Sequence, residues 1–365
     1  ECSTCPSEAY CWGADKLGPR EGYWRIDEVS AVFISCPNQA ACLGARPGND
    51  DDLPSGRCDE DNGYQGHLCK QCKTGYIASN RSTCSKCPDV LMNALRLLGI
   101  LILALVLVVF MIRSTIKSAF SSNSKKNFLN VYLRIFANYL QLVSLTASFD
   151  LNWPEEFKGL FSAQDQIASV SEQVFSLDCF LQGDESVSLV YSRLILFNAL
   201  PLVFFVLSTS FWIIHTKLFY RGERHPITSR IVTTMVILFF LVHPTIMKHN
   251  LSVFSCRDLG DDRLYLSPDL SQECWTPSHL RWALLVALPG LLIWVIGVPL
   301  LVMVIIFGHR HELDTVHLKA RFGFLYFGFQ SEYYYWEALI LLRKIGIGCI
   351  SVFLLVLERP IQALI

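Results

Sequence analysis

Six stretches of this chain are each apolar over roughly the 20 residues that a helix needs to cross a bilayer core about 30 Å thick. They run over residues 91–112, 129–147, 189–214, 231–248, 282–307 and 338–357. Six buried helices of that length in one soluble core would be unusual. The balance of the chain agrees: 52% of the 365 residues are hydrophobic and only 17% charged, against about 25% charged in soluble domains. The net charge of −1 gives no reason to expect a nucleic-acid partner. The chain is therefore expected to be an all-α polytopic bundle over residues 90–365, with the lipid bilayer as its first partner.

The segments between these stretches alternate in charge, and that alternation sets an orientation. Residues 113–128 carry Arg113, Lys117, Lys125 and Lys126 and no acid, and residues 215–230 carry four basic residues against Glu223. Residues 149–187 instead hold eight acids against Lys158, and residues 251–279 hold five against Arg257 and Arg263. By the positive-inside rule the basic segments lie in the cytoplasm and the acidic ones outside, which places the N-terminal region outside as well. An apolar spacing from Phe157 to Val174 reads as an amphipathic helix over residues 154–175 on the outer side, packed under the cysteine-rich module rather than lying free on the membrane surface. The aromatic run Arg321–Glu337 reads as an interfacial segment along the inner leaflet. Residues 360–365 read as the start of a seventh pass, and Glu1 as a residue that follows a removed signal or a longer outer region.

Cysteine usage marks the outer compartment independently. Ten of the 14 cysteines precede residue 88: Cys2, Cys5, Cys11, Cys36, Cys42, Cys58, Cys69, Cys72, Cys84 and Cys87. That density in residues 1–89 predicts a small, loop-rich β module held by disulfides, because so short a segment buries too little core to fold on apolar contacts alone. Cys256 and Cys274 are placed to close a loop outside, and Cys179 also falls on that side. The spacing Cys69-x-x-Cys72 with Cys84-x-x-Cys87 would suit zinc in a reducing compartment, but in an oxidising one thiols pair with each other. Asn80 heads a glycosylation sequon, and Asn250 heads a second one close to an apolar stretch.

No catalytic constellation, phosphate loop or His/Glu metal spacing is visible, so no enzyme activity and no cofactor are expected. Calcium is the ion that the acidic clusters at residues 49–52 and 59–62 would take. Neither cluster follows a ligand spacing, and solvated loops are the expected reading. Charged groups inside the apolar stretches carry more weight, since ionisable residues are costly in lipid. Arg96, Arg193 and Lys248 lie toward outer ends and Arg134, Arg343 and Lys344 toward inner ones, where most of them can snorkel. Arg134, Asn138 and Gln141 instead share one face of the second stretch, which must face protein or water. A buried structural network is the expected role, with an ion path the sharper alternative. Pro201, Pro244, Pro289 and Pro299 interrupt the third to fifth stretches, with Gly290 and Gly297 beside the last two; close packing and a hinge are both open there.

Several motifs together carry a resemblance: GYQGHLCKQCKTGY at residues 63–76, LVHPTIMKHNLSVFSC at 241–256, PGLLIWVIGVPL at 289–300, and the aromatic run ending in LRK at 342–344. Over residues 58–365 the chain resembles the transient-receptor-potential-like (TRP-like) multi-pass proteins of protists, algae and fungi, many of which carry EGF-like or ephrin-receptor-like repeats. The resemblance implies a cation channel or sensory membrane protein whose extracellular module receives ligand or force. The EGF likeness further implies pairings of Cys58 with Cys69 and of Cys72 with Cys84. No pore residues transfer, because the connection between the fifth and sixth stretches is placed inside and holds no selectivity-filter motif. The alternative is a non-conducting anchor or adhesion receptor in the plasma or ciliary membrane, tied to an extracellular protein assembly such as cell-surface or ciliary filaments. A homo-oligomer is compatible with either.

Overall fold

Two solvents demand two ways of holding a chain together, and the computed structural model shows both. The structure describes residues 4–13, 16–27, 30–46, 55–79, 83–120, 128–147, 179, 188–219, 227–261 and 263–353. Cys2, Asn80, the acidic cluster at 49–52, the expected outer helix at 154–175 and the expected seventh pass at 360–365 lie outside them. The chain divides into two compact units, each described by itself.

The first unit takes in residues 1–97, 162–192 and 252–283, so it extends beyond the module expected over residues 1–89. The module is a series of antiparallel two-stranded ribbons. They are β1 (Ala9–Cys11) with β2 (Leu17–Pro19), β3 (Tyr23–Trp24) with β4 (Ile34–Ser35), and β5 (Cys42–Gly44) with β6 (Arg57–Cys58). Two more follow, β7 (Tyr64–Gln65) with β8 (Gln71–Cys72) and β9 (Tyr76–Ser79) with β10 (Thr83–Lys86). Isolated ribbons this short are marginal in water, and disulfides make up the difference. Bonds join Cys5 to Cys11, Cys36 to Cys42, Cys58 to Cys69 and Cys72 to Cys84. A fifth joins Cys87 to Cys179, across 92 residues of sequence.

Residues 256–273 add a three-stranded antiparallel sheet to the same unit: β11 (Cys256–Asp258), β12 (Leu264–Leu266) and β13 (Asp269–Glu273). Its ends are closed by the Cys256–Cys274 disulfide. They are also tied by the buried His279, whose Nε2 donates to the Val253 carbonyl at 3.0 Å while its Nδ1 accepts from the Trp275 amide at 3.1 Å. That second bond holds Trp275 at φ 62°, a left-handed backbone that a bulky residue keeps only when its surroundings enforce it.

The second unit is helical. Among the described residues the chain forms seven helices, counting Pro277–Gly308 as one run: α1 (Val90–Phe120), α2 (Phe128–Ala147), α3 (Leu189–Phe219), α4 (Ile227–Ser252), α5 (Pro277–Gly308), α6 (Val316–Tyr326) and α7 (Trp336–Phe353). Residues 98–161, 193–251 and 284–365 belong to this unit. Four of the helices, α1, α3, α4 and α5, are long and apolar enough to cross a membrane. The six-pass expectation is thus met by length and hydropathy at four places. At the other two, α2 and α7 form helices of 20 and 18 residues that are shorter and more polar.

Helix α5 is irregular for a covalent reason. Pro289 and Pro299 cannot donate backbone hydrogen bonds, and the helix widens into π-turns over Ala283–Ala287 and Leu291–Gly297 before each of them. Gly290 lies where a Cβ would collide with the side-chain oxygens of Asn198 and Asn250. Close packing is what that glycine provides. Helix α6 departs from the expected interfacial segment: Phe322, Phe324 and Tyr326 are buried. Phe324 packs with Met111 and Ile112 of α1, Trp212 of α3 and Phe240 of α4, so much of the aromatic run fills the bundle's own core. Only its later part keeps large exposed rings, at Tyr333, Tyr335 and Trp336.

Candidate functional site

The polar face of α2 meets α7 inside the helical unit. Arg134 is 3% exposed, so it does not snorkel to a headgroup. Its Nη1 donates to the Phe324 carbonyl at 2.6 Å and its Nη2 to the Phe327 carbonyl at 2.8 Å. These are the last carbonyls around the end of α6, where no backbone amide remains to satisfy them. Its Nε lies 3.6 Å from Glu337 Oε2. Asn138 donates to Glu337 Oε1 at 3.2 Å and accepts from Lys344 Nζ. Lys344, 1% exposed, also donates to Gln141 Oε1 at 2.6 Å and lies 4.6 Å from the centre of the Phe240 ring.

Two prolines are tied into the same region. Pro244 has no N–H to offer the Phe240 carbonyl one turn earlier. Gln141 Nε2 donates there instead, and to the Leu241 carbonyl, each at 3.2 Å. Pro299 likewise leaves the Val295 carbonyl without its usual amide. His243 Nε2, 1% exposed as a residue, donates to it at 3.2 Å. The three side chains on one face of α2 are therefore brought together, along with Glu337 and Lys344 of α7. From sequence, Glu337 is only the end of an aromatic run and Lys344 only a snorkelling cation. Their i, i+7 spacing on one face of a helix that must be buried was the available signal.

An apolar cavity of about 380 Å³ opens beside this cluster. It is lined by Phe205 of α3, Met235 of α4, Trp294 and Val302 of α5, Leu325 of α6 and Leu341 of α7, with His243 and Glu337 as polar members.

In the first unit, the module docks onto the three-stranded sheet. Lys70 Nζ donates to the Ser267 carbonyl at 2.7 Å, and Gln71 Nε2 to Asp269 Oδ1 at 3.2 Å. Leu259 and Leu270 share one apolar cluster with Trp24, Tyr64 and Leu68. His67 sits between the two parts, its ring 5.2 Å from that of Trp24 and 5.4 Å from that of Tyr265. Burial pushes its pKa below the ordinary histidine value, partly offset by Asp261. Burial, together with the hydrogen bond and charge of Asp261, holds the Tyr265 phenol up to about 12.

Of the residues predicted from sequence, eleven of the twelve cysteines lie in disulfides, Cys2 being outside the described residues. The partner of Cys87 was missed: the ten cysteines before residue 88 are even in number and could pair among themselves, so nothing in the count called for Cys179. Asn250 is fully buried and bonded to Asn198 and to the Ile246 carbonyl, so it is closed to a glycan. In the acidic cluster at 59–62, Asp59 bonds Asn62 and Glu60 pairs with Lys73 at 2.6 Å.

These features define the class: a disulfide-bonded, small-strand unit joined to a helical bundle with four helices suited to cross a membrane, as in a membrane protein with an extracellular domain. The chain is similar to cysteine repeat modular protein A of Toxoplasma gondii, at 22% identity over 451 aligned positions that cover 96% of the chain. The chain spans 14% of the length of that curated relative. No protein-family model matches, and no solved structure matches. The relative's name speaks of cysteine repeats and not of TRP-like proteins.

Proposed function

We propose that this chain is the membrane end of a surface receptor in the plasma membrane, sensing ligand or force through its cysteine-rich unit. Six passes carry it, with α2 and α7 as the two polar ones, and the basic connections face the cytoplasm. The observation that supports the reading is the docking of the module on the sheet that leads from α4 into α5. A module free on its linker would pass no signal to the helices. One gripped by Lys70, Gln71 and a shared apolar cluster moves together with the connection between two candidate spans. Two disulfides, Cys87–Cys179 and Cys256–Cys274, tie the same unit to the chain entering α3 and to the two ends of that connection.

Cation conduction, the TRP-like form of this reading, gains less support. The buried polar groups of α2 are engaged with α7, α6 and α4 rather than left to line a water-filled route. The second reading is a non-conducting anchor or adhesion receptor for an extracellular assembly. It is favoured by the relative, a cysteine repeat modular protein of which this chain matches only 14%. The test is purification of the full-length protein from native membrane, with its oligomeric state and bound partners determined and currents recorded in planar bilayers. A symmetric oligomer that conducts supports the channel form. A single copy bound to an extracellular polymer, with no response to load on the module, makes it an anchor.

A further inference from the structure

One polar atom at the apolar cavity of the helical unit stands open. Glu337, 7% exposed, accepts from Asn138 at Oε1 and has Arg134 Nε 3.6 Å from its Oε2. His243 Nδ1 has no hydrogen-bond partner among the described residues. Because the Val295 carbonyl can only accept, the proton of a neutral His243 resides on Nε2, and Nδ1 is left as an acceptor. That open position therefore asks for a donor. An unmet polar atom in an apolar surrounding is costly, and each such atom in a native fold calls for an explanation.

We infer that the cavity binds a membrane-dissolved lipid whose polar end is a single neutral hydroxyl, which donates its one proton to His243 Nδ1. A carboxylate-ended fatty acid is acceptor-only and has no proton to give His243 Nδ1. An amphiphilic amine would add a third cation beside Arg134 and Lys344, which already outnumber the one acid of the cluster. A neutral hydroxyl supplies the donor without either conflict, and the hydrocarbon lies against Phe205, Met235, Trp294 and Val302. Sterols and diacylglycerols share this chemistry. The site goes beyond the receptor reading and does not depend on it.

The test uses the full-length protein in phosphatidylcholine nanodiscs with two photoreactive probes, a diazirine sterol and a diazirine diacylglycerol. The expected result is labelling of peptides within residues 231–243 and 294–306 by one of them, which identifies the source. Unlabelled cholesterol or dioleoylglycerol should compete. Their hydroxyl-free counterparts, cholestane and the fully acylated glycerol, should compete about ten-fold more weakly, the loss expected for one unmet buried hydrogen bond. Val302→Phe, which fills the cavity, should abolish labelling. Where that variant fails to fold, competition on the native protein decides alone. Equal competition by the hydroxyl-free lipids, or no competable labelling of these peptides, overturns the proposal.

Discussion

The two units bury comparable problems and solve them with different chemistry. In the cysteine-rich unit the apolar cluster around Trp24 and Leu68 is small, and covalent bonds between short ribbons limit what the unfolded chain can do. In the helical unit the described residues contain no disulfide. Order there comes from Arg134, Asn138, Gln141, Glu337 and Lys344 meeting each other's needs in a setting with little water. The first device acts bond by bond, each disulfide indifferent to its neighbours. The second is cooperative: every member depends on the others being present, and removing one leaves the rest exposed to a low dielectric.

The largest effect should therefore come from breaking the cluster. Glu337→Ala leaves two buried cations without their carboxylate and should destabilise the helical unit by about 3–5 kcal/mol. Thermal unfolding in detergent, followed by the fluorescence of Trp212 and Trp294 with other tryptophans replaced, reads it. Replacing Arg134 and Lys344 by Met and Leu in the same background should restore much of the loss. If the single variant unfolds no earlier than the native chain, the cluster is not what orders the bundle.

Next in size is the covalent device. Changing Cys58 and Cys69 together to Ser should cost the first unit about 2–4 kcal/mol, as expected for a short closed loop. Protease cleavage between Gly63 and Lys73 should rise sharply, while unfolding of the helical unit stays where it was. A mild reductant on the native protein should do the same. Joint collapse of both units under reduction would show that the two units are not held independently.

Smaller again is Gln141→Leu, which removes the donor for the carbonyls that Pro244 leaves unmet. Single hydrogen bonds between membrane helices contribute about 0.6 kcal/mol, rising to about 1.7, and Lys344 also loses one acceptor. Hydrogen exchange should increase around Phe240–Met247 and little elsewhere. Protection unchanged there would mean that the widened helix satisfies those carbonyls without α2.

How much of this was legible in the sequence follows the same divide. Helices α1, α3, α4 and α5 were visible because long apolar runs are a property of each segment alone. The stripe Arg134–Asn138–Gln141 was visible as a face that must be covered, but its cover was not. Glu337 and Lys344 lie some 200 residues away and look like ordinary boundary charges. Phe324 and Tyr326 were misplaced to the interface because aromatic content alone does not separate a ring that anchors from a ring that packs. In the first unit, cysteine density announced disulfides, yet spacing could not reveal that Cys87 reaches Cys179. Nor could Leu259 and Leu270, two apolar residues in an acidic connection, announce that the module docks there.

That docking supplies the smallest and most discriminating expectation. His67 bridges Trp24 of the module and Tyr265 of the sheet, and its folded-state pKa lies below the ordinary value of about 6.5. A histidine depressed on folding contributes stability that is present above its unfolded pKa and is lost as pH falls through the folded one. The grip of module on sheet should thus loosen on acidification below about pH 6.5, with Asp261 limiting the change. Hydrogen exchange at Leu264–Leu266 should rise no more than a few-fold between neutral and mildly acidic buffer, because His67 is only half-buried. His67→Phe keeps an aromatic ring in place and should flatten the response, whereas reduction of the disulfides should leave its pH midpoint unmoved as long as the fold persists. A response that survives His67→Phe would rule out the His67 ring as its source. The pH-sensitive coupling between module and sheet would then not be seated at that one ring.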